Sequence, residues 1–311
     1  MTLSGQALTL AGQAVTPAGH AVTPAGQAVT ARWELLRALG AICLDDPADT
    51  VEVTEALGLP VWSRADHTAI FVLDLPPYAS IHLGPEGKLG GEGADRVAGL
   101  WRTLHLDPPS DADHLGVLLA FYAELGAASQ ACATPAAAAR LDHARAVLFW
   151  EHLWPWVPGY LAAVAEDPAG RPWATLTGQA LLGEAAATPE PPERPAALRH
   201  APEPPDSDAG LDELLDALTA PVRVGFVLTY TDLLRAGAEI GVGVRRGERR
   251  FALRSMMEQD PAATLRWLAA HARRWARLHA EQPDQGAGTS RWWQHRAGAT
   301  AAALEAMLAG C

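Results

Sequence analysis

The chain has 311 residues, a mass of 32.9 kDa and a formal net charge of −12. Nearly half the residues are apolar, enough for a sizeable core, and the acidic balance argues against a dedicated nucleic-acid binder or a membrane-surface protein. No run reaches the roughly 18 uninterrupted apolar residues of a membrane span. Three scattered cysteines (Cys43, Cys132 and Cys311) fit neither a disulfide framework nor a zinc-knuckle spacing, so a reducing, cytoplasmic compartment is expected.

Residues 3–30 repeat one heptad four times, from Leu3–Thr9 to Pro24–Thr30. The period suggests a coiled coil, but every copy carries Gly, two carry Pro, and none supplies interhelical charges. Residues 1–31 contain no Lys or Arg, so a basic export leader is not indicated either. The repeat reads as a disordered tail over 1–30.

From there the pattern is helical. Thr30 is expected to cap a helix with Trp33, Leu36, Gly40 and Cys43 on one face. A short helix follows Thr50. Ser63 and Asp66 read as a capping box before Ile70, Phe71 and Leu73. Val97, Leu100, Trp101 and Leu104 form the next stripe. Ser110–Asp113 is expected to open a helix carrying Leu115, Leu118, Leu119, Tyr122 and Leu125, and Thr134-Pro135 to start another. Pro155 and Pro158 interrupt that helix, after which Tyr160, Leu161 and Val164 begin a further one. Trp173, Leu176, Ala180 and Leu181 complete a helical body over 31–183. Residues 184–210, rich in proline and acids, read as a solvated linker. Helical pattern resumes over 211–281 and in a terminal helix over 282–311. Val222 to Tyr230 alternate as a strand would, yet Thr229 to Asp232 fits a helix start, which is preferred. Residues 221–281 hold 11 Arg against 6 acids, a basic stretch in an acidic chain. The fold class is therefore all-α: a multi-helix bundle with a disordered N-terminal repeat and an additional C-terminal helical segment.

Few residues suggest covalent chemistry. The Gly84–Gly93 loop holds the only lysine, Lys88, but Leu89 stands where a phosphate-cradling loop needs Ser or Thr. A flexible connector is the simpler reading. The body's histidines lack the spacing of a helical zinc site, so no metal and no cofactor is implied. No nucleophile elbow is present. Asp111-Ala112-Asp113-His114 has two readings. Acids in a first helical turn offset the macrodipole; alternatively, a carboxylate beside an imidazole grips a cationic ligand. Trp150, Trp154 and Trp156 fall within seven residues, and the bend at Pro155 leaves one of them free to line a groove.

Three segments together resemble the TorD/DmsD-type chaperones that mature twin-arginine-exported molybdoenzymes. Pro76-Pro77-Tyr78-Ala79-Ser80-Ile81-His82-Leu83 is similar to the family's proline-aromatic-Glu-Ser segment, Asp111–Leu115 to its Pro-Asp-His motif, and His152-Leu153-Trp154-Pro155-Trp156 to its His-Leu-x-Pro-Trp motif. Their order also fits, over about residues 31–185. Ala79 replaces the usual Glu, His82 a common aromatic, and Ala112 the motif proline.

The resemblance implies a TorD-like helical fold and a non-enzymatic role. The protein would bind the signal peptide and apo form of a molybdopterin-dependent oxidoreductase until cofactor insertion. A peptide led by two guanidiniums and followed by an apolar stretch needs an apolar groove with carboxylates at one end. Asp113 is expected to contact the cationic end, His114 to orient it, and Tyr78 with Trp154 or Trp156 to flank the apolar part. No nucleic-acid partner and no stable membrane insertion are expected, and a homodimer is an option. Two rivals remain. Segment 245–277 is Arg-rich and suits an interaction module for RNA or acidic protein, with Arg266, Arg273 and Arg277 on one face; the simpler alternative is a solvated face partly paired with the acidic body. A hydrolase using Asp113 and His114 lacks a nucleophile and an oxyanion device.

Overall fold

The computed structural model describes residues 24–310, with side chains from Thr30 onward. Its helices, in chain order, are α1 (Pro24–Leu44), α2 (Val51–Ala56), α3 (Arg64–His67), α4 (Ala79–Leu83), α5 (Gly91–Thr103), α6 (Leu115–Ala131), α7 (Pro135–Val147), α8 (Val157–Val164), α9 (Arg171–Ala187), α10 (Ala196–Arg199), α11 (Leu211–Leu218), α12 (Pro221–Val224), α13 (Tyr230–Ile240), α14 (Arg249–Gln259), α15 (Pro261–Glu281) and α16 (Thr289–Gly310). Wider π-helical turns, Thr68–Asp74 and Leu148–Leu153, extend α3 and α7. Among the described residues the only β pairing is an isolated antiparallel bridge between Tyr78 and His114. The fold is all-α.

Local chemistry sets many of the boundaries. The side chains of Ser63, Thr134 and Asp260 each accept a backbone N–H in the first turn of their helix. Thr229 and Asp232 form a reciprocal capping box, so the alternating stretch before them ends in a helix start. Two expectations change. Helix α1 is described from Pro24 onward, so Thr30 lies inside it and the last heptad copy is helical; the three earlier copies lie outside the described residues. The other change concerns α6, which starts at Leu115 with His114 as its cap. Asp111 and Asp113 therefore precede the helix.

The body is built on α1 crossing α6. Trp33, Leu36, Leu39, Ile42 and Cys43 are buried on that face, together with Leu115, Leu118, Leu119, Tyr122 and Leu125. Gly40 and Gly116 meet at the crossing, where a Cβ on Gly116 would fall 2.5 Å from the Gly40 carbonyl oxygen. Indole donors tie the periphery to this centre: Trp173 Nε1 donates to the Leu39 carbonyl at 3.1 Å and Trp62 Nε1 to that of Ala169 at 3.0 Å.

The C-terminal helices pack on the body through one continuous apolar cluster. Helices α15 and α16 form an antiparallel hairpin whose Trp293 Nε1 donates to the Pro155 carbonyl at 2.7 Å. The 184–210 stretch departs from the solvated reading. Ala197 and Leu198 are buried, the Pro189 carbonyl accepts from Trp150 Nε1 at 2.7 Å, and Glu190 accepts from the Ala287 N–H at 3.1 Å. Its prolines fix an extended path along the body, and its apolar residues anchor that path.

Candidate functional site

The Tyr78 and His114 segments are brought together as the motif order suggested. The Leu115 N–H donates to the Pro77 carbonyl at 2.7 Å, and the Ala79 N–H to the Asp113 carbonyl at 2.9 Å. The rings of Tyr78 and His114 meet edge to face with centroids 4.8 Å apart. Asp113 Oδ2 accepts the Ser80 N–H at 2.9 Å, and His114 Nδ1 accepts the Gly116 N–H at 3.1 Å. Each group thus caps or ties a helix start: Asp113 holds α4, and His114 holds α6.

Their accessibility corrects the sequence expectation. Asp113 and His114 are each 5% exposed, Trp154 is 4% and Trp156 is 2%. A carboxylate already bonded to a buried amide is not placed to receive a guanidinium arriving from solvent. Burial pushes the His114 imidazole down to about 4, against an opposing pull from Asp111, so the ring is neutral near pH 7. Tyr78 is half-buried; its hydroxyl donates to Asp111 at 3.2 Å, and burial with the neighbouring carboxylates raises it to about 12. Trp154 lies against Phe149 and Trp150, apart from the Tyr78 cluster. Trp156 stacks on His82 at 4.8 Å with an interplanar angle of 15°. The histidine that replaces a common family aromatic therefore does an aromatic's packing work.

The open feature lies beside this framework. A groove of about 1140 Å³ has the π-turn Thr68–Asp74 and the loop 85–88 on one side, and α11, α13 and the start of α14 on the other. Leu73 and Leu234 line it while 72% and 47% exposed, which is unusual for leucines sharing one hollow. Four carboxylates (Asp74, Glu86, Asp216 and Glu248) and five cations (Lys88, Arg223, Arg246, Arg249 and Arg250) share the walls. The cleft is thus mixed in charge, not uniformly acidic. Asp216 and Arg250 neutralise each other at 2.5 Å. Arg249 is half-buried and donates to the Leu228 carbonyl at 2.7 Å; burial lowers its pKa.

The glycine-rich loop is not a free connector. Gly87 has φ +61°, and a Cβ there would fall 2.4 Å from the Thr219 carbonyl oxygen. Glycine thus lets this loop dock against the turn between α11 and α12. The Asp113 framework reaches the same loop: Ser80, tethered by Asp113, accepts the Gly90 N–H on its hydroxyl at 3.2 Å. The groove residues escaped sequence reasoning because their signal is non-local. Leu73 looks like one more core position until the π-turn rotates it outward.

Four of the nine arginines in 245–277 pair with carboxylates of the chain, and of Arg266, Arg273 and Arg277 only Arg273 is among them. Arg254 bonds Asp212, Arg273 bonds Glu305, and Arg274 bonds Glu166 of the body. Such pairing fits the solvated, partly neutralised face. Among the described residues, no group of three His, Cys, Asp or Glu could hold a metal ion, and no helix is long and apolar enough to cross a membrane.

Residues 56–162 match a family model described as nitrate reductase delta subunit. That is about a third of the chain, and it contains Tyr78, Asp113, His114, Trp154 and Trp156. Through this segment the chain is similar to the nitrate reductase delta subunit family, chaperones of molybdoenzyme assembly, and the match supports the resemblance to TorD/DmsD-type maturation chaperones. No curated protein matches the chain.

Proposed function

We propose that this protein is a cytoplasmic chaperone that holds the twin-arginine signal peptide and apo form of a molybdopterin-dependent oxidoreductase until the cofactor is inserted. The groove between the family-matching body and the C-terminal helices is the binding surface. The observation that carries this reading is the pair of exposed leucines, Leu73 and Leu234, in a groove that also presents Asp74, Glu86 and Glu248. The leucines take the apolar stretch of the peptide, and the carboxylates take its guanidiniums. The cations between them disfavour other registers, because a peptide arginine set beside Lys88 or Arg246 is repelled. Asp113 and His114 act as positioning residues, fixing α4 and through Ser80 the loop that walls the groove.

Fully covering one leucine is worth about 1.5–3 kcal/mol. Leu73→Asp should therefore weaken a labelled peptide, with two arginines before an apolar stretch, at least about tenfold by fluorescence anisotropy. Unchanged affinity in both Leu73→Asp and Leu234→Asp would move the site elsewhere. No binding to the intact chain at low salt would remove the signal-peptide reading itself.

A further inference from the structure

Helix α14 opens with Arg249-Arg250-Phe251-Ala252-Leu253, two guanidiniums followed by three apolar residues. That is the pattern of the peptide assigned to the groove. The chain holds two other Arg-Arg pairs, but Arg245-Arg246 is followed by Gly247-Glu248, and Arg273-Arg274 by Trp275, Ala276 and a third arginine. Only the α14 pair has the ligand's order, and both of its arginines line the groove.

Arg250 is held as a bound guanidinium would be. Its Nε donates to Asp216 Oδ1 at 2.5 Å and its Nη2 to Asp212 Oδ1 at 2.6 Å, so one fork spans two carboxylates set one turn apart on α11. Arg254 also bonds Asp212. The acids stay reachable while Arg250 is on them: the side chains of Asp212 and Asp216 are 72% and 56% exposed. An exposed pair of this kind is favoured by at most about fivefold over its separated groups, so a second guanidinium can replace the first. Leu253 and Met256 anchor α14 in the core. Exchange therefore needs only the Arg250 side chain to swing away, and the helix stays in place.

We propose that Asp212 and Asp216 receive one guanidinium of the peptide, and that in the free chain Arg250 covers them as an internal stand-in which the peptide displaces. This rests on the groove being the peptide site. Arg250 then lowers the apparent affinity by the fraction of time it covers the acids. A segment without arginine cannot displace it, so the contact also screens what enters.

The test is a cycle of full-length variants, read by anisotropy of a labelled peptide with two arginines before an apolar stretch. If the chain's own arginine and the peptide's each hold the acids about fivefold, Arg250→Gln should tighten binding about threefold. Asp212→Asn with Asp216→Asn should weaken it about twofold, and adding Arg250→Gln to that pair should change nothing further. Equal tightening in both backgrounds would reduce Arg250 to a repelling charge and overturn the proposal. Unchanged or weaker binding in Arg250→Gln would overturn it too, leaving the ion pairs purely structural. In either case, loss of affinity in Leu73→Asp would still uphold the groove, whereas no binding to the wild-type chain would end both readings. A second measurement needs no variant of the pair: the Arg250 Nε–H signal in a ¹H–¹⁵N spectrum of the wild-type chain should shift as peptide is added. A signal unmoved at saturation would overturn the displacement.

Discussion

Acid should loosen this fold well above the range in which carboxylates titrate. Burial pushes His82 down to about 3, and His114 and His279 down to about 4. Arg249 adds to the depression at His82, while carbonyl hydrogen bonds oppose it at His82 and His279. The unfolded chain takes up a proton at each ring near pH 6.5, whereas the folded chain resists until near 4. The unfolded state therefore binds more protons in this window, and stability falls as pH drops through it. One such shift is worth about 3 kcal/mol, and each ring contributes a slope of about 1.4 kcal/mol per pH unit. Three rings give about 4 kcal/mol per unit between pH 6 and 5. Urea unfolding followed by tryptophan fluorescence, at closely spaced pH values, measures this slope. His114→Asn keeps a side-chain acceptor for the Gly116 N–H without a titrating group, and it should lower the slope by about 1.4 kcal/mol per unit. A flat profile between pH 6 and 5, or the wild-type slope in His114→Asn, would refute the assignment of buried neutral imidazoles.

Further outcomes follow from particular contacts. Glu184 is 2% exposed, bonds Arg32, and accepts from the Tyr122 hydroxyl at 2.7 Å, with Arg145 donating to that hydroxyl at 2.6 Å. Glu184→Ala removes the carboxylate that Arg32 bonds and that accepts the Tyr122 hydroxyl, and chemical denaturation should show a loss of about 1–3 kcal/mol. Gly225 has φ +81°, and a Cβ there would fall 2.3 Å from the Ala297 N. Gly225→Ala should cost about 2–4 kcal/mol and raise hydrogen exchange in α16 before α1. Asp113→Ala should weaken peptide binding while leaving its salt dependence unchanged, because the carboxylate acts through the Ser80 N–H. A flattened salt dependence would instead mean that Asp113 meets the peptide's charge directly.

Periodicity carried the helical core. Trp33, Leu36 and Cys43 on α1, and Leu115, Leu118, Leu119, Tyr122 and Leu125 on α6, are buried as their spacing indicates. Caps at Ser63, Thr134 and Thr229 are local signals, and they were legible for that reason. The candidate site was less so. The motifs correctly drew Tyr78 to His114, but nothing in a linear pattern distinguishes a carboxylate aimed at solvent from one spent on the Ser80 amide. The groove joins residues far apart in the chain, such as Leu73 and Leu234, and one wall exists only because Gly87 lets a loop approach Thr219. The packing of 184–210 escaped notice for a related reason: composition reports mean polarity, while Ala197 and Leu198 alone anchor it.

Hydrogen–deuterium exchange of the full chain, with and without a peptide carrying two arginines and an apolar stretch, tests the binding surface most directly. Peptide should slow exchange in the segments on both sides of the groove, 69–88 and 230–250. Protection confined to 111–116 and 150–156, with those two segments unchanged, would contradict the account.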